Sequence, residues 1–128
     1  MIRVLISGSR IFNDKKHLYN TLDKLCEERF KGQEDEYGNW LPVGLTIVHG
    51  GARGADLLAD DWAIVNWVPI EEYKPDWDSF GRAAGIIRNK QMLDTGIDLV
   101  VAFPRGEARG TKHMMKIARE AGVEVIEA

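Results

Sequence analysis

Three short stretches of this chain carry residues suited to holding an anion. They are Gly8-Ser9-Arg10, the run His49–Asp56 (HGGARGAD), and Arg109-Gly110-Thr111. In each, glycine stands with polar residues where a helical pattern is about to begin. Such a turn presents backbone N–H groups and a positive helix end, and glycine removes the side chain that would block close approach. Candidate donors are the N–H groups of Ser9, Gly50, Gly51, Gly110 and Thr111, with the Ser9 and Thr111 hydroxyls; Gly8 and Gly54 belong to the same turns. Candidate cations are Arg10, Arg53 and Arg88, because a guanidinium grips phosphate through two parallel hydrogen bonds. Asp56 follows the glycines by a helical turn or less. It suits sugar hydroxyls, and equally the electrostatic capping of a helix start. His49, as a histidine, offers acid–base chemistry or simple loop packing. Asn89, beside Arg88 in GRAAGIIRNKQM, offers a ligand contact or a buried structural hydrogen bond.

These residues need elements to position them. Ile2–Ser7, Gly44–Val48, Val68–Tyr73, Asp98–Phe103 and Val123–Ile126 read as five strands, mostly apolar throughout. Between them lie helical patterns: one capped by Asn13 or Asp14 with Leu18, Leu22 and Leu25 inward; one over Gly54–Trp67; one capped by Ser79 and ended by Gly96; and one capped by Thr111 and closed by Gly122. On the last of these, Met114, Ile117, Ala118 and Ala121 should face inward. Gly85 within the third pattern suggests a close approach by backbone or ligand. The alternation βαβαβαβαβ predicts an α/β fold, a Rossmann-like three-layer αβα sandwich on a five-stranded, mostly parallel sheet of order 3-2-1-4-5. In that order the direction of winding reverses between the first and fourth strands, where such sheets bind ligands. The loops carrying Ser9 and Thr111 follow those two strands, and HGGARG follows the second. Topology alone brings all three together.

The remaining composition narrows the chemistry. At 128 residues the chain reads as a single domain over 1–128, with residues 31–43 as a polar surface insert or small hairpin. Trp40 within that insert suggests an oligomer contact or lid, against the plainer reading of a solvated connection. A net charge of -3 argues against a general polyanion binder. A lone Cys26 makes no intrachain disulfide and fits core packing in a reducing compartment. No signal-peptide layout or membrane-spanning run is seen, so the expected location is cytoplasmic. His17, His49 and His113 lack metal-ligand spacing, and no metal or cofactor is expected. Neither G-x-G-x-x-G nor G-x-x-x-x-G-K-[ST] occurs, which excludes the standard dinucleotide and P-loop signatures. G-x-S-x-G is also absent.

Taken together, GSR, HGGARGAD, AGIIRNKQM and RGT resemble the SLOG superfamily, and within it the YspA-like, YpsA-related branch, over Arg3 to Val125. The resemblance implies a Rossmann-like fold that binds a nucleotide or nucleotide-derived ligand, a relation to two further groups, and room for a homo-oligomer. The LOG phosphoribohydrolases cleave nucleotide N-glycosidic bonds. Their R-K-x-x-M is similar to Arg88, Asn89 and Met92, and their P-G-G-x-G-T-x-x-E loop matches in part at Pro104, Gly110 and Thr111. The position of its catalytic glutamate is Met114 here, which has no acid–base chemistry; Glu107 is the nearest acid in the loop. The DNA-processing DprA proteins carry S-G-x-A-x-G-I-D, similar to His49–Asp56, and R-N-R, similar to Arg88-Asn89, and they bind single-stranded DNA. The expectation is thus ligand binding or sensing first, with nucleotide N-glycoside hydrolysis and single-strand binding as alternatives. Ser9, Arg10, Gly50, Gly51, Gly110 and Thr111 would hold phosphate, and Asp56, Arg88 and Asn89 the sugar. Trp77 is a candidate to stack on a base, beside the alternative of core or interface packing.

Overall fold

The computed structural model describes residues 2–30, 36–38 and 44–128. Five strands form one parallel sheet: β1 Ile2–Gly8, β2 Leu45–His49, β3 Ile70–Glu72, β4 Leu99–Phe103 and β5 Glu124–Glu127. Their order is β3-β2-β1-β4-β5, as the alternation of elements predicts. The helices are α1 Lys15–Arg29, α2 Ala55–Val65, the short α3 Trp77–Phe80, α4 Ala84–Asp94 and α5 Arg109–Glu120, with a 3₁₀ turn at Gly81–Ala83.

The two-residue period of a strand divides its side chains between the two faces. Val4 and Ile6 of β1 pack with Leu18, Leu22 and Leu25 of α1 and with Ala59 and Trp62 of α2. Leu5 points the other way and packs with Met92 of α4 and Met114 and Ala118 of α5. A sheet buried on both faces explains why β2 and β4 are buried at every position. Cys26 is buried in the first of these cores, and burial with the nearby Asp23 carboxylate pushes its thiol up to about 12, so it is inert packing.

Several boundaries differ from expectation, each for a local reason. Asp14 caps α1, its carboxylate accepting from the His17 N–H at 3.1 Å. Ser79 caps nothing. Asp76 caps α3 by accepting from the Ser79 N–H at 3.1 Å, and the chain then passes through the 3₁₀ turn into α4. Gly85 is consequently in the first turn of α4 and not in mid-helix. Thr111 also lies inside its helix: Ala108 occupies the cap of α5 with φ 46°, and no side chain caps it. Ala121 is exposed, while Met115 is buried in its stead. The insert at 31–43, including Trp40 and any hairpin there, falls outside the described residues except for 36–38.

Helix α2 stops at Val65, two residues short of the expected Trp67. The Val68 N–H donates to the Ala63 carbonyl at 2.8 Å and the Trp67 N–H to the Ile64 carbonyl at 3.3 Å. That pair of bonds is a Schellman ending, which needs a left-handed residue at Trp67. The same ending closes α5, where Gly122 supplies the left-handed residue with φ 76°. Trp67 takes φ 58° with its side chain 87% exposed. A non-glycine residue there costs about 1 kcal/mol, and little burial offsets it. Trp67→Gly should therefore raise the unfolding free energy by about 1 kcal/mol, read as a higher denaturant midpoint at unchanged slope. An unchanged or lower midpoint would contradict this account of the α2 ending.

Candidate functional site

Past the carboxyl ends of the strands lies a cleft of about 780 Å³. It is bounded by the β1–α1 loop, the β2–α2 loop, the β3–α3 loop, the β4–α5 loop and one face of α4. Its size is that of a small-molecule site. Gly8 at the end of β1 pairs with Phe103 at the end of β4, so the floor of the cleft is the point where the winding reverses. Among the described residues, six basic side chains line it (Arg10, Arg53, Lys74, Arg88, Arg105 and Arg109) against the acids Asp56 and Glu107. A chain of net charge -3 thus gathers its positive potential at one place.

The glycine loop after β2 is organised by its own residues. Asp56 is 5% exposed, and its Oδ2 accepts from the Gly50 N–H at 3.1 Å and the Ala52 N–H at 3.2 Å. The Gly51 N–H donates to His49 Nδ1 at 3.0 Å. The expected phosphate donors of this loop are therefore engaged within the fold. His49 Nδ1 accepts a proton donor, so in the neutral ring the hydrogen sits on Nε2, which faces Asp60 Oδ1 at 2.7 Å. His49 is fully buried and does not line the cleft, so it is a loop brace and not an acid or base presented to a ligand. Gly54 does not line it either. Its φ of 87° and the Ser9 carbonyl, 2.2 Å from where a Cβ would stand, make it the contact that closes α2 onto the β1–α1 loop.

Ser9 is a clasp. Its hydroxyl donates to the Arg105 carbonyl and accepts from the Arg105 N–H at 2.9 Å, and its own N–H donates to Phe103 O at 3.2 Å. Both of its donors are used, so it has none left for a phosphate, contrary to expectation. The clasp joins the β1–α1 and β4–α5 loops across the switch point.

Arg88 reaches from α4 to the Gly50 carbonyl at 2.8 Å and the Tyr73 carbonyl at 3.3 Å, and its Nε donates to Asn89 Oδ1 at 3.2 Å. Burial lowers its pKa, Asp56 opposes that, and Arg10 adds repulsion. A Cβ on Gly50 would fall 2.1 Å from Arg88 Nη1, so glycine is needed there for the guanidinium to dock. Asn89 is buried, and its Nδ2 faces the Gly110 carbonyl at 3.1 Å and His113 Nδ1 at 3.2 Å. It fastens α4 to the start of α5. Arg88 and Asn89 therefore hold the cleft's wall together as well as lining it.

What remains unengaged defines what the site can bind. Asp56 Oδ1 is buried with no hydrogen-bond partner. Burial pushes this carboxyl up to about 6, against the pull of the Ala52 N–H, His49, Arg88 and the Gly50 N–H. At the start of α5, backbone bonding begins with the Lys112 N–H donating to the Ala108 carbonyl. The N–H groups of Arg109, Gly110 and Thr111 precede it and have no partner within the helix. Arg10 and Arg53 line the cleft and make no ion pair among the described residues. Around the cleft stand the unbonded N–H groups at the start of α5, two exposed guanidiniums, and a carboxylate oxygen buried without a partner.

Lys74, Arg105 and Arg109 were not singled out from the sequence as ligand candidates. All three follow strands three and four, so the rule that ligands sit past strand ends pointed to them. Met114, at the position of the LOG glutamate, is fully buried in the α4–α5 core. Glu107 lines the cleft mouth at 82% side-chain exposure, 3.4 Å from Arg109. Among the described residues no cluster of three or more His, Cys, Asp or Glu is placed to hold a metal, and no helix is long and apolar enough to cross a membrane.

Residues 2–80 match the family described as "YspA, cpYpsA-related SLOG family". The chain is 40% identical over 134 aligned residues to the Gene 61 protein of Mycobacterium phage D29, covering 98% of this chain and 95% of that protein. No solved structure matches. The β1 turn, the glycine loop with Asp56 and the β3–α3 loop all lie within the matched residues, and the chain belongs to the YspA, cpYpsA-related SLOG family.

Proposed function

We propose that this chain binds a nucleotide or nucleotide-derived small molecule in the cleft at the carboxyl edge of its sheet. Membership of a SLOG family fits a nucleotide-related role. The observation that carries the reading is Asp56. A carboxylate oxygen buried without a partner costs stability, and its persistence at the cleft is accounted for by a ligand hydroxyl that donates to it. A ribose supplies such hydroxyls. The phosphate takes the free N–H groups of Arg109, Gly110 and Thr111, with Arg10 and Arg53 closing over it. Arg88 and Asn89 position that seat from behind. The role is binding or sensing: the glutamate position of the LOG enzymes is core methionine, and no acid beyond Asp56 and the exposed Glu107 faces the cleft among the described residues.

A screen by thermal shift tests this directly. A nucleotide at a hundred times its Kd should stabilise the fold by about 2.7 kcal/mol; a flat response to mono-, di- and cyclic nucleotides, NAD and ADP-ribose would sink the proposal. Arg53→Ala should weaken that response with the unliganded melting temperature unchanged, since Arg53 is exposed and bonds to nothing else described. Arg88→Ala should lower the unliganded stability by about 1–3 kcal/mol, because two carbonyls lose their donor. Equal melting temperatures for Arg88→Ala and the wild type would show that these bonds do not brace the wall.

Asp56 gives a pH signature. Its folded pKa of about 6 stands above the ordinary aspartate value of about 3.9, so the folded state holds the proton more tightly. The stability from this group is fully present below about pH 4 and is lost as pH rises through about 6. Asp56→Asn keeps an oxygen for the Gly50 and Ala52 N–H groups and removes the charge. Its stability relative to wild type should improve by about 2 kcal/mol between pH 4 and pH 7, while nucleotide binding falls. Parallel stability curves for the two proteins over that range would show that Asp56 is not the strained group.

A further inference from the structure

The proposed nucleotide site leaves one wall of the cleft unused. Trp77 opens α3 and is 49% exposed, although it lines the cleft. An indole has a large apolar face and one N–H donor, and half-exposing it in solvent wastes both. Nothing else in the described fold engages that N–H. The backbone carrying it is fixed, because Asp76 caps α3 through the Ser79 N–H. Across from the ring is Gly85: a Cβ there would meet only Trp77 Cη2, at 3.9 Å. With glycine there, no side chain crowds that edge of the indole, and the rest of the half-exposed ring faces the cleft. Other tryptophans do not share this position. Trp62 is buried with its N–H on Asp23 Oδ1 at 2.9 Å, and Trp67 stands at the far end of α2. Phe80 and Ile86 are exposed near Trp77 in sequence but do not line the cleft.

The spacing fits one ligand. Gly85 and Asn89 are separated by one turn of α4, roughly 6 Å, and the Asn89 amide touches the Gly110 carbonyl at 3.1 Å. The indole, beside Gly85, and the start of α5, beside Asn89, therefore stand about one helical turn apart along α4. One nucleoside monophosphate can span that separation. Asp56, near Arg88 in the middle of this span, is where the sugar would lie.

We propose that Trp77 is the stacking seat for a nucleobase, and that the ligand of this cleft is recognised as base, ribose and phosphate by Trp77, Asp56 and the α5 N-terminus. This rests on the nucleotide reading above. Stacking tolerates any base, since every base has a π-face, so Trp77 separates nucleotides from simple sugar phosphates and leaves the choice of base to other groups.

Calorimetric titration of the whole chain with the monophosphates of adenosine, guanosine, cytidine and uridine, and with ribose phosphate as the base-free probe, decides the matter. On the wild type, at least one nucleotide should bind roughly ten-fold or more tightly than ribose phosphate. Trp77→Ala should bring that nucleotide to the level of ribose phosphate, whose own affinity stays unchanged; Trp77→Phe should retain most of the preference. Phe80→Ala should bind as the wild type does. The stacking role is overturned if Trp77→Ala binds the nucleotide like the wild type, if ribose phosphate binds the wild type as tightly as any nucleotide, or if Trp77→Ala loses both ligands equally. A wild type that binds neither nucleotides nor ribose phosphate overturns the nucleotide site itself.

Discussion

The Asp56 carboxylate shapes the fold through one oxygen and leaves the other buried without a hydrogen-bond partner. Oδ2 collects the Gly50 and Ala52 N–H groups and so gives the glycine loop its shape. That shape aims the Gly50 carbonyl at Arg88, which in turn holds Tyr73 and Asn89. Asn89 then fixes Gly110 at the start of α5. A single buried acid thus connects, by direct hydrogen bonds, the loops that follow β2, β3 and β4. The cost of burying it is visible in its raised pKa, and the low dielectric that makes the cost high also strengthens each bond in the chain.

A second connection runs across the floor. Ser9 clasps Arg105, and Gly54 sits against the Ser9 carbonyl. Together with the Asp56 network it ties the cleft walls to one another where they meet the sheet. The cations Arg10 and Arg53, by contrast, are exposed and unpaired at the rim. Walls joined by hydrogen bonds and exposed cations at the rim are features suited to an anionic ligand. The glycine loop that looks most like a phosphate cradle in sequence spends its N–H groups within the fold, while the first N–H groups of α5 are left free.

Much of this was legible in the residues. Apolar strands alternating with helical stripes dictate a parallel sheet covered on both faces, because βαβ crossovers put helices there. The order β3-β2-β1-β4-β5 then brings Ser9, Gly50 and Thr111 to one edge. The caps were less legible. Ser79 and Thr111 are good cap residues, yet Asp76 and an uncapped Ala108 hold those positions. Ser, Thr and Asp can each cap at several offsets, and which one does is set by how the loop leaves the sheet. Trp67 ends α2 in a conformation usually given to glycine, and no local propensity signals that.

The sequence by itself determined the fold, since periodicity acts locally and survives any packing, and its motifs carried the resemblance to the family. Only the tertiary structure decided which polar groups are spent and which are free. His49, Ser9, Gly50 and Gly51 have the right chemistry to meet a ligand, but partners brought close by the folded loops, some of them in the same loop, consume their donors or bury them. Asp56 Oδ1, the α5 N-terminus and Trp77 stand out because nothing in the described fold reaches them. A hydrogen bond is exhausted by its partner, and the partner is known only once the chain has folded.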